Sequence, residues 1–360
     1  MVYGYEGGKS MNMLLKSSFR LVKSIALLWG GTILLTSCSS AESQSFKPIK
    51  VDGSETVSPI ADAIAKEYNK TNQQNIKVEV GNTASIGGFG NSGTTAGFRK
   101  FCAGKTDINN ASRPITKEEM SACNKAGIRY FELPIGFDAL TITVNPQNTW
   151  AKDITIEELK KIWQPAAQGK ITNWNQIRAS YPNQPLRLFG ASTNDGTYDF
   201  FNYVTIGKNP SRTDYVASVN YNILVQGVNQ DRNALGYFPY AFYQTKQKQL
   251  KTLAVDSGKG GVLPSVEAVE LGRYQPFSRP LFVYVNYKSV QDKAAVKVYV
   301  EYLLQNAGRV VENAGYIPLP EEGYHFVEVR FNEGKVGTVF EGKIQPNLTI
   351  GELLHKQATF

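Results

Sequence analysis

The chain has 360 residues, 42% hydrophobic and 19% charged, with 39 basic and 31 acidic side chains and a formal net charge of +8. This composition excludes a disordered or fibrous chain and predicts a folded protein with more than one core. The basic residues are spread out and form no Lys/Arg block, so the charge argues against nucleic-acid binding and suits the attraction of small anions.

The N-terminal segment predicts export. Three basic residues, Lys16, Arg20 and Lys23, precede an apolar run at 25–35 that is too short to span a bilayer, so we interpret 1–37 as a secretory signal peptide. The residues Leu-Thr-Ser-Cys at 35–38 resemble the bacterial lipobox, so Cys38 is the expected lipidation site. The polar stretch that follows makes 38–47 the expected tether. An ordinary signal peptide with an incidental cysteine is the alternative. Removal of 1–37 leaves 35 basic and 30 acidic side chains, a charge of +5.

Two further cysteines, Cys102 and Cys123, follow Cys38. Outside the cytoplasm an isolated pair is most simply a disulfide, and we predict one here. A metal or redox pair is disfavoured because the spacing is not Cys-x-x-Cys and the two histidines, His325 and His355, lie near no other ligand set. We therefore expect neither a metal nor a cofactor.

Strands and helices alternate in the first part of the chain. The patterns predict a strand at 49–51, a helix at 60–68, a strand at 76–80 and a helix over 98–102. The segment 107–114 is expected to follow a short strand, and a capping box at 116–119 should begin the next helix. This alternation predicts a mainly parallel sheet with helices on both faces.

The remaining elements predict a second α/β unit and then, from 252–255 onward, a return of the chain to the first. Strands are expected at 139–144, 186–189, 234–238, 252–255 and 281–285, and helices at 155–163, 197–204 and 293–304. About 320 residues exceed what one core normally serves, so we expect two lobes that the chain crosses between twice. The expected boundaries are 48–136 and 255–320 for the first lobe, 137–254 for the second, and 321–360 for a C-terminal extension.

Three short stretches place small hydroxyl residues and glycines where a strand ends and a helix begins, at 53–59, 91–98 and 192–198. Backbone N–H groups at a helix N-terminus favour an oxyanion. Each stretch alone could be a plain N-cap. Three of them in one chain predict loops that converge on a single small anion in the cleft between the lobes.

The motifs do not require an enzyme. Residues 88–93 match Gly-x-Gly-x-x-Gly, but an exported protein has little access to NAD, and no acidic residue ends a second strand about twenty residues further on. Residues 190–194 are not a Gly-x-Ser-x-Gly elbow, and no histidine is placed to act as a base.

Four segments together resemble the ligand loops of the PstS family, the phosphate-binding proteins of ABC importers, and most closely its cyanobacterial SphX-like branch. They are 53–57, 92–98, 110–114 and 195–201, supported by further similar stretches at 169–174, 225–228, 234–237 and 278–281. The resemblance covers 48–320 and implies the two-lobe, type II-like periplasmic-binding-protein fold. Residues 321–360 resemble only the C-terminal extension of the SphX-like group.

The resemblance also implies the phosphate ligands. They should be hydroxyl and backbone donors from four segments: Ser54, Thr56, Val57, Ser92, Thr94, Thr95, Ser112, Gly196 and Thr197.

The sequence departs from the family at two places. Some members have aspartate at the position of Arg113 and arginine at the position of Ala191, so we expect Arg113 to supply the cationic fork for phosphate. Asp195 replaces the usual serine. It either accepts a hydrogen bond from a proton on phosphate or caps the helix that follows it.

The expected function is that of a monomeric, lipid-anchored receptor of the cell envelope or periplasm. It would capture inorganic phosphate and deliver it to the membrane permease of an ABC importer, without catalysis. The alternatives are a receptor for another tetrahedral oxyanion such as sulfate, molybdate or phosphite, a phosphate sensor, or a phosphoryl-transfer enzyme.

Overall fold

The structure is a computed structural model that describes residues 47–71, 76–81, 93–207 and 209–359. These residues belong to one compact unit, Phe46–Phe360. The expected signal peptide, the lipidation site Cys38, nearly all of the tether, and Ser92 lie outside the described residues.

The elements alternate along the chain as follows. The strands are β1 (Ile49–Gly53), β2 (Val78–Val80), β3 (Ile108–Ala111), β4 (Tyr130–Val144), β5 (Asp153–Thr155), β6 (Arg187–Ala191), β7 (Val216–Ser218), β8 (Ala234–Pro239), β9 (Lys251–Thr252), β10 (Ala254–Asp256), β11 (Gly261–Val262) and β12 (Ser278–Asn286). The helices are α1 (Ser58–Thr71), α2 (Gly93–Cys102), α3 (Lys117–Lys125), α4 (Ile156–Trp163), α5 (Gly196–Thr205), α6 (Tyr221–Gln230), α7 (Tyr240–Gln244), α8 (Val266–Glu270), α9 (Tyr287–Asp292), α10 (Ala294–Asn313), α11 (Glu321–Asn332) and α12 (Ile350–Thr359).

One long strand, β4, joins two sheets. Its first part pairs with β12, and the order β2-β1-β3-β12-β4 makes the sheet of the first lobe. Its last part pairs with β8, and β4-β8-β6-β7 makes the sheet of the second lobe. The outer strands of both sheets are parallel as predicted, whereas β12 and β4 run antiparallel to their neighbours. The fold is therefore a mixed-sheet α/β fold.

The sequence patterns did not predict the first half of β4. Pro134 and Gly136 break the expected strand pattern there, and a proline removes a ladder hydrogen bond. The structure accommodates Pro134 at a register shift, because Leu281 pairs with Gly136 while Phe282 pairs with Pro134, so that Ile135 has no opposite residue. All fifteen residues of β4 are buried.

Local signals predicted the helix starts well. Thr116 and Thr155 each form a complete capping box with the glutamate three residues on, which confirms both expected helix starts. The segment 107–114 differs from expectation, since β3 lies within it rather than before it. The predicted strand at 252–255 is divided between β9, which pairs with β4, and β10, which pairs with β5 and β11 in a small separate sheet.

The outer helices close the core of the first lobe. Helix α1 packs on α10, where Tyr68 and Tyr299 meet edge to face at 5.1 Å between ring centroids. The C-terminal segment packs on the same lobe, with Phe331 of α11 4.8 Å from Phe131 of β4. A disulfide joins Cys102 and Cys123 in the structure. In the described part of the chain no helix combines the length and apolarity needed to cross a membrane.

Candidate anion-binding site

The first loop leaves β1 through a glycine in a conformation that side chains rarely adopt. Gly53 has φ +126°, and a Cβ there would lie 2.2 Å from the carbonyl oxygen of Asn110. The glycine thus lets the loop approach β3, and the N–H of Ser54 donates to that same carbonyl at 2.9 Å. Thr56 follows with its hydroxyl buried.

The third loop begins helix α5 at Asp195. The side chain of Asp195 is an N-cap, because its Oδ1 accepts the N–H of Thr197 at 2.8 Å. Gly196 comes next, and a Cβ on it would lie 2.5 Å from Thr94 Oγ1 and 2.7 Å from Ser112 Oγ. The absence of a side chain at Gly196 lets the helix N-terminus reach these two hydroxyls, which are themselves 3.2 Å apart.

The loops of the two lobes meet through their hydroxyl groups. Thr56 Oγ1 of the first lobe lies 3.2 Å from Thr197 Oγ1 of the second. The buried hydroxyl of Tyr221, at the start of α6, lies 2.6 Å from Thr197 Oγ1 and 3.4 Å from Thr56 Oγ1. The predicted convergence of the loops is therefore present in the structure, with a tyrosine that sequence reasoning did not include.

A buried arginine faces these hydroxyls. Arg279 Nη2 donates to Thr197 Oγ1 at 2.8 Å and lies 3.4 Å from Thr56 Oγ1. The same guanidinium forms an ion pair with Asp138 at 2.9 Å, with both side chains almost fully buried. Arg279 Nη1 and Ser54 Oγ have no hydrogen-bond partner among the described residues. Buried donors normally have partners, so this cluster is suited to holding an acceptor-rich anion.

Arg113, in contrast, uses all its donors within the protein. Nε donates to Asp199 at 2.7 Å, and the two terminal nitrogens bind both oxygens of Glu119 at 2.8 Å. The remaining N–H groups reach the carbonyl of Pro114 and the hydroxyl of Thr95. A guanidinium has five N–H donors, and all five are engaged. The expectation that Arg113 supplies the cationic fork is thus corrected, and the geometry gives that position to Arg279.

A repeated triplet could have revealed Arg279. Ser-Arg-Pro occurs at 112–114, directly after β3, and again at 278–280, at the start of β12. These two strands are antiparallel neighbours. The second triplet belonged to a stretch already recognised as family-like, but sequence reasoning assigned no role to it. No comparable signal pointed to Tyr221.

Other predicted ligands occupy different positions. Thr94 and Ser112 lie beside the N-terminus of α5. The hydroxyl of Thr95 instead donates to Asp199, at the Arg113 cluster. The N–H of Val57 donates to the carbonyl of Ser54 at 3.2 Å within its own loop.

Burial dominates the electrostatics of the acidic groups here. Desolvation raises the pKa of Asp138 to about 6, although the charge of Arg279 opposes this shift. Desolvation also raises the pKa of Asp195, against the hydrogen bond from Tyr221. Burial raises the pKa of the Tyr221 hydroxyl well above its ordinary value, so that group stays protonated. Among the described residues, no group of three His, Cys, Asp or Glu side chains could hold a metal ion.

Comparisons with known proteins agree with this geometry. Residues 39–307 match the family model of the PBP superfamily domain. The chain is 47% identical to the protein SphX of Synechocystis over 330 residues, which is 91% of this chain and 95% of that protein. It is 34% identical to the phosphate-binding protein PstS of Staphylococcus saprophyticus over 301 residues, 82% of this chain and 89% of that protein.

A solved structure extends the agreement to the fold. The crystal structure described as a possible phosphate binding protein from Planctomyces limnophilus is 38% identical to this chain, with a TM-score of 0.59 over 80% of this chain and 98% of that one. The predicted two-lobe periplasmic-binding-protein fold is confirmed. The chain belongs to the PBP superfamily and, within it, to the family of SphX and PstS.

Proposed function

We propose that this protein binds inorganic phosphate and delivers it to the membrane permease of an ABC importer. The observation that carries the proposal is the buried guanidinium of Arg279, whose Nη1 has no partner among the described residues and whose Nη2 touches the hydroxyls of Thr56 and Thr197. The relatives support it, since SphX and PstS proteins resemble the chain over most of its length and PstS carries the name phosphate-binding protein.

The proposed capture uses one arginine and several neutral hydroxyl groups. Thr56 and Ser54 come from the first lobe, and Thr197 and Tyr221 from the second, so an anion between them would be bound fully only when the lobes are closed. Asp138 offsets the charge of Arg279. Selectivity then depends on matching each buried donor and acceptor, because each unmatched group costs about 1–3 kcal/mol.

The remaining assignments rest on the sequence and on the family. We propose an exported, lipid-anchored monomer of the cell envelope or periplasm, with a signal peptide at 1–37, Cys38 as the lipidated residue, and no enzymatic activity. We propose that the exported form keeps the disulfide between Cys102 and Cys123 seen in the structure. Because β10 pairs with β5 of the second lobe and β11 pairs with β10, we propose that the chain returns to the first lobe after Val262, later than the expected boundary at 254/255.

Calorimetric titration of phosphate-stripped protein with phosphate, arsenate, sulfate and phosphite tests the proposal. We expect tight binding of phosphate and arsenate and weak binding of sulfate. Small-angle scattering on the same samples should show a smaller radius of gyration with phosphate, since each lobe holds only part of the ligand set. Preferred binding of sulfate or phosphite would favour a receptor for another oxyanion, and no binding of any of the four would refute the proposal.

A further inference from the structure

We propose that Tyr221 is the residue that selects for a protonated oxyanion, because its hydroxyl offers only lone pairs to the bound ligand. Asp195 is the positioning residue that fixes this polarity. The inference rests on the proposed function and adds to it the residue that distinguishes phosphate from sulfate.

The first step is the position of the tyrosine hydroxyl. Tyr221 is fully buried, and its oxygen lies among three oxygens, those of Asp195 (2.6 Å), Thr197 (2.6 Å) and Thr56 (3.4 Å). Two of these, the threonine hydroxyls, also contact Arg279. The tyrosine hydroxyl therefore belongs to the cluster that would surround the anion.

The second step is the direction of its hydrogen bond. A hydroxyl has one proton and two lone pairs, and a carboxylate only accepts. Tyr221 donates its proton to Asp195 Oδ2. Asp195 Oδ1 is held by the N–H of Thr197 at the start of α5, so the carboxylate cannot turn away. With that proton committed, the 2.6 Å contact with Thr197 is a hydrogen bond from the threonine hydroxyl to Tyr221. One lone pair of the tyrosine oxygen is then left for another neighbour.

The third step is the consequence for the ligand. Hydrogen phosphate and arsenate carry at least one O–H at neutral pH and can donate it to Tyr221. Sulfate carries none, so its oxygen would face the remaining lone pair of the tyrosine, and two acceptors would meet in a buried site. We expect this mismatch to disfavour sulfate by roughly 5- to 150-fold relative to phosphate.

This arrangement refines the sequence-based hypothesis about Asp195. Of the two roles expected for that residue, the structure shows the helix cap directly. The proton-accepting role passes to Tyr221, since both oxygens of Asp195 already accept hydrogen bonds from within the protein.

Two variants test the inference by changing the polarity of one atom. Tyr221→Phe keeps the ring, which packs 4.9 Å from that of Phe242, and removes the acceptor. In Asp195→Asn the side-chain oxygen must still accept from Thr197, so the amide nitrogen faces Tyr221 and donates to it. The tyrosine proton is then free to point at the anion. We expect the ratio of sulfate to phosphate dissociation constants to fall about tenfold in Tyr221→Phe, and sulfate to bind more tightly than in the parent in Asp195→Asn.

The control is Tyr215→Phe. Tyr215 lies in the same lobe, and its hydroxyl donates to the carbonyl of Ala191 at 2.9 Å, outside the hydroxyl cluster. This variant should lose a partly buried hydrogen bond and some thermal stability while keeping the parent's selectivity ratio. Circular dichroism confirms that each variant is folded before titration.

The outcomes separate the two proposals. A parent protein that binds no phosphate overturns the proposed function, and this inference with it. A parent that binds phosphate and excludes sulfate, together with Asp195→Asn and Tyr221→Phe variants whose ratios stay within about twofold of the parent, overturns the inference alone. A lowered ratio in both variants and an unchanged ratio in Tyr215→Phe supports it.

Discussion

Replacing the ion pair of Arg279 and Asp138 by uncharged residues should abolish tight phosphate binding while preserving the fold. Arg279 directs Nη2 at the two threonine hydroxyls and has a further nitrogen, Nη1, without a partner among the described residues. A hydrogen bond to a charged group contributes about 1.5–3 kcal/mol, so the loss of two such bonds to phosphate weakens binding by roughly 10²- to 10⁴-fold.

The double variant is needed because Arg279→Gln alone lowers both the affinity for phosphate and the stability of the fold, so the two effects could not be separated. Arg279→Gln alone leaves Asp138 buried without its cation, and breaking a buried pair costs about 3–5 kcal/mol. The pKa of Asp138, already raised to about 6, would rise further without Arg279. Arg279→Gln with Asp138→Asn removes both charges and should recover much of that stability, whereas affinity should stay low.

The assay is calorimetric titration with phosphate, next to thermal unfolding of the same samples. Arg212→Gln is the matched control, because Arg212 is also buried but binds Asp214 and the carbonyls of Ile162 and Ile171. It should lose stability and keep affinity. A double variant that binds phosphate within about threefold of the parent would refute the role given to Arg279.

Three further predictions follow from contacts outside the hydroxyl cluster. Asp199→Asn removes the charge that pairs with Arg113 across the two lobes at 2.7 Å. Small-angle scattering should therefore show a larger radius of gyration for the ligand-free variant than for the ligand-free parent. An identical radius would contradict a role of this ion pair in holding the lobes together. Burial raises the pKa of Glu132 from its ordinary value of 4.5 to about 7. Between these two pH values the folded protein holds a proton that the unfolded chain has lost. The free energy of unfolding should therefore fall by up to about 3 kcal/mol as the pH rises from 4.5 to 7. Urea unfolding between pH 4.5 and 7.5 should show this decline in the parent and a shallower one in Glu132→Gln; equal slopes would contradict it. Reduction of the disulfide between Cys102 and Cys123, 21 residues apart, should lower the free energy of unfolding by about 3 kcal/mol. Two free thiols in peptides of the unreduced exported protein would show that this disulfide does not form.

Features that depend on residues close together in the sequence could be predicted from the sequence alone. The capping box predicted at Thr116 formed, and the helix predicted at 155–163 begins with another at Thr155; each depends on residues three positions apart. The three loops were also identified correctly as helix starts or strand ends, because glycines and hydroxyl residues have strong local preferences there.

Contacts between residues far apart in the sequence could not be predicted from the sequence alone. Arg113 and Arg279 have the same neighbours in sequence, and only the positions of Glu119 and Asp199 decide that the first is saturated inside the protein. Tyr221 reaches Asp195 across 26 residues through the packing of α6 on its sheet. The first half of β4 was missed because its Pro134 is tolerated only at a register shift set by the partner strand.

The position of Arg279 on the long strands bears on the order of events in capture. Arg279 and Asp138 are opposite residues in the pairing of β12 with β4, next to the point where β4 passes from one sheet to the other. A rotation of the lobes about these strands moves residues at the pivot least and those on the distant loops most. We therefore expect an incoming anion to meet the guanidinium first, in the open form, at a position that hardly shifts. The hydroxyl of Thr197 would arrive with the moving lobe and make the captured state slow to release.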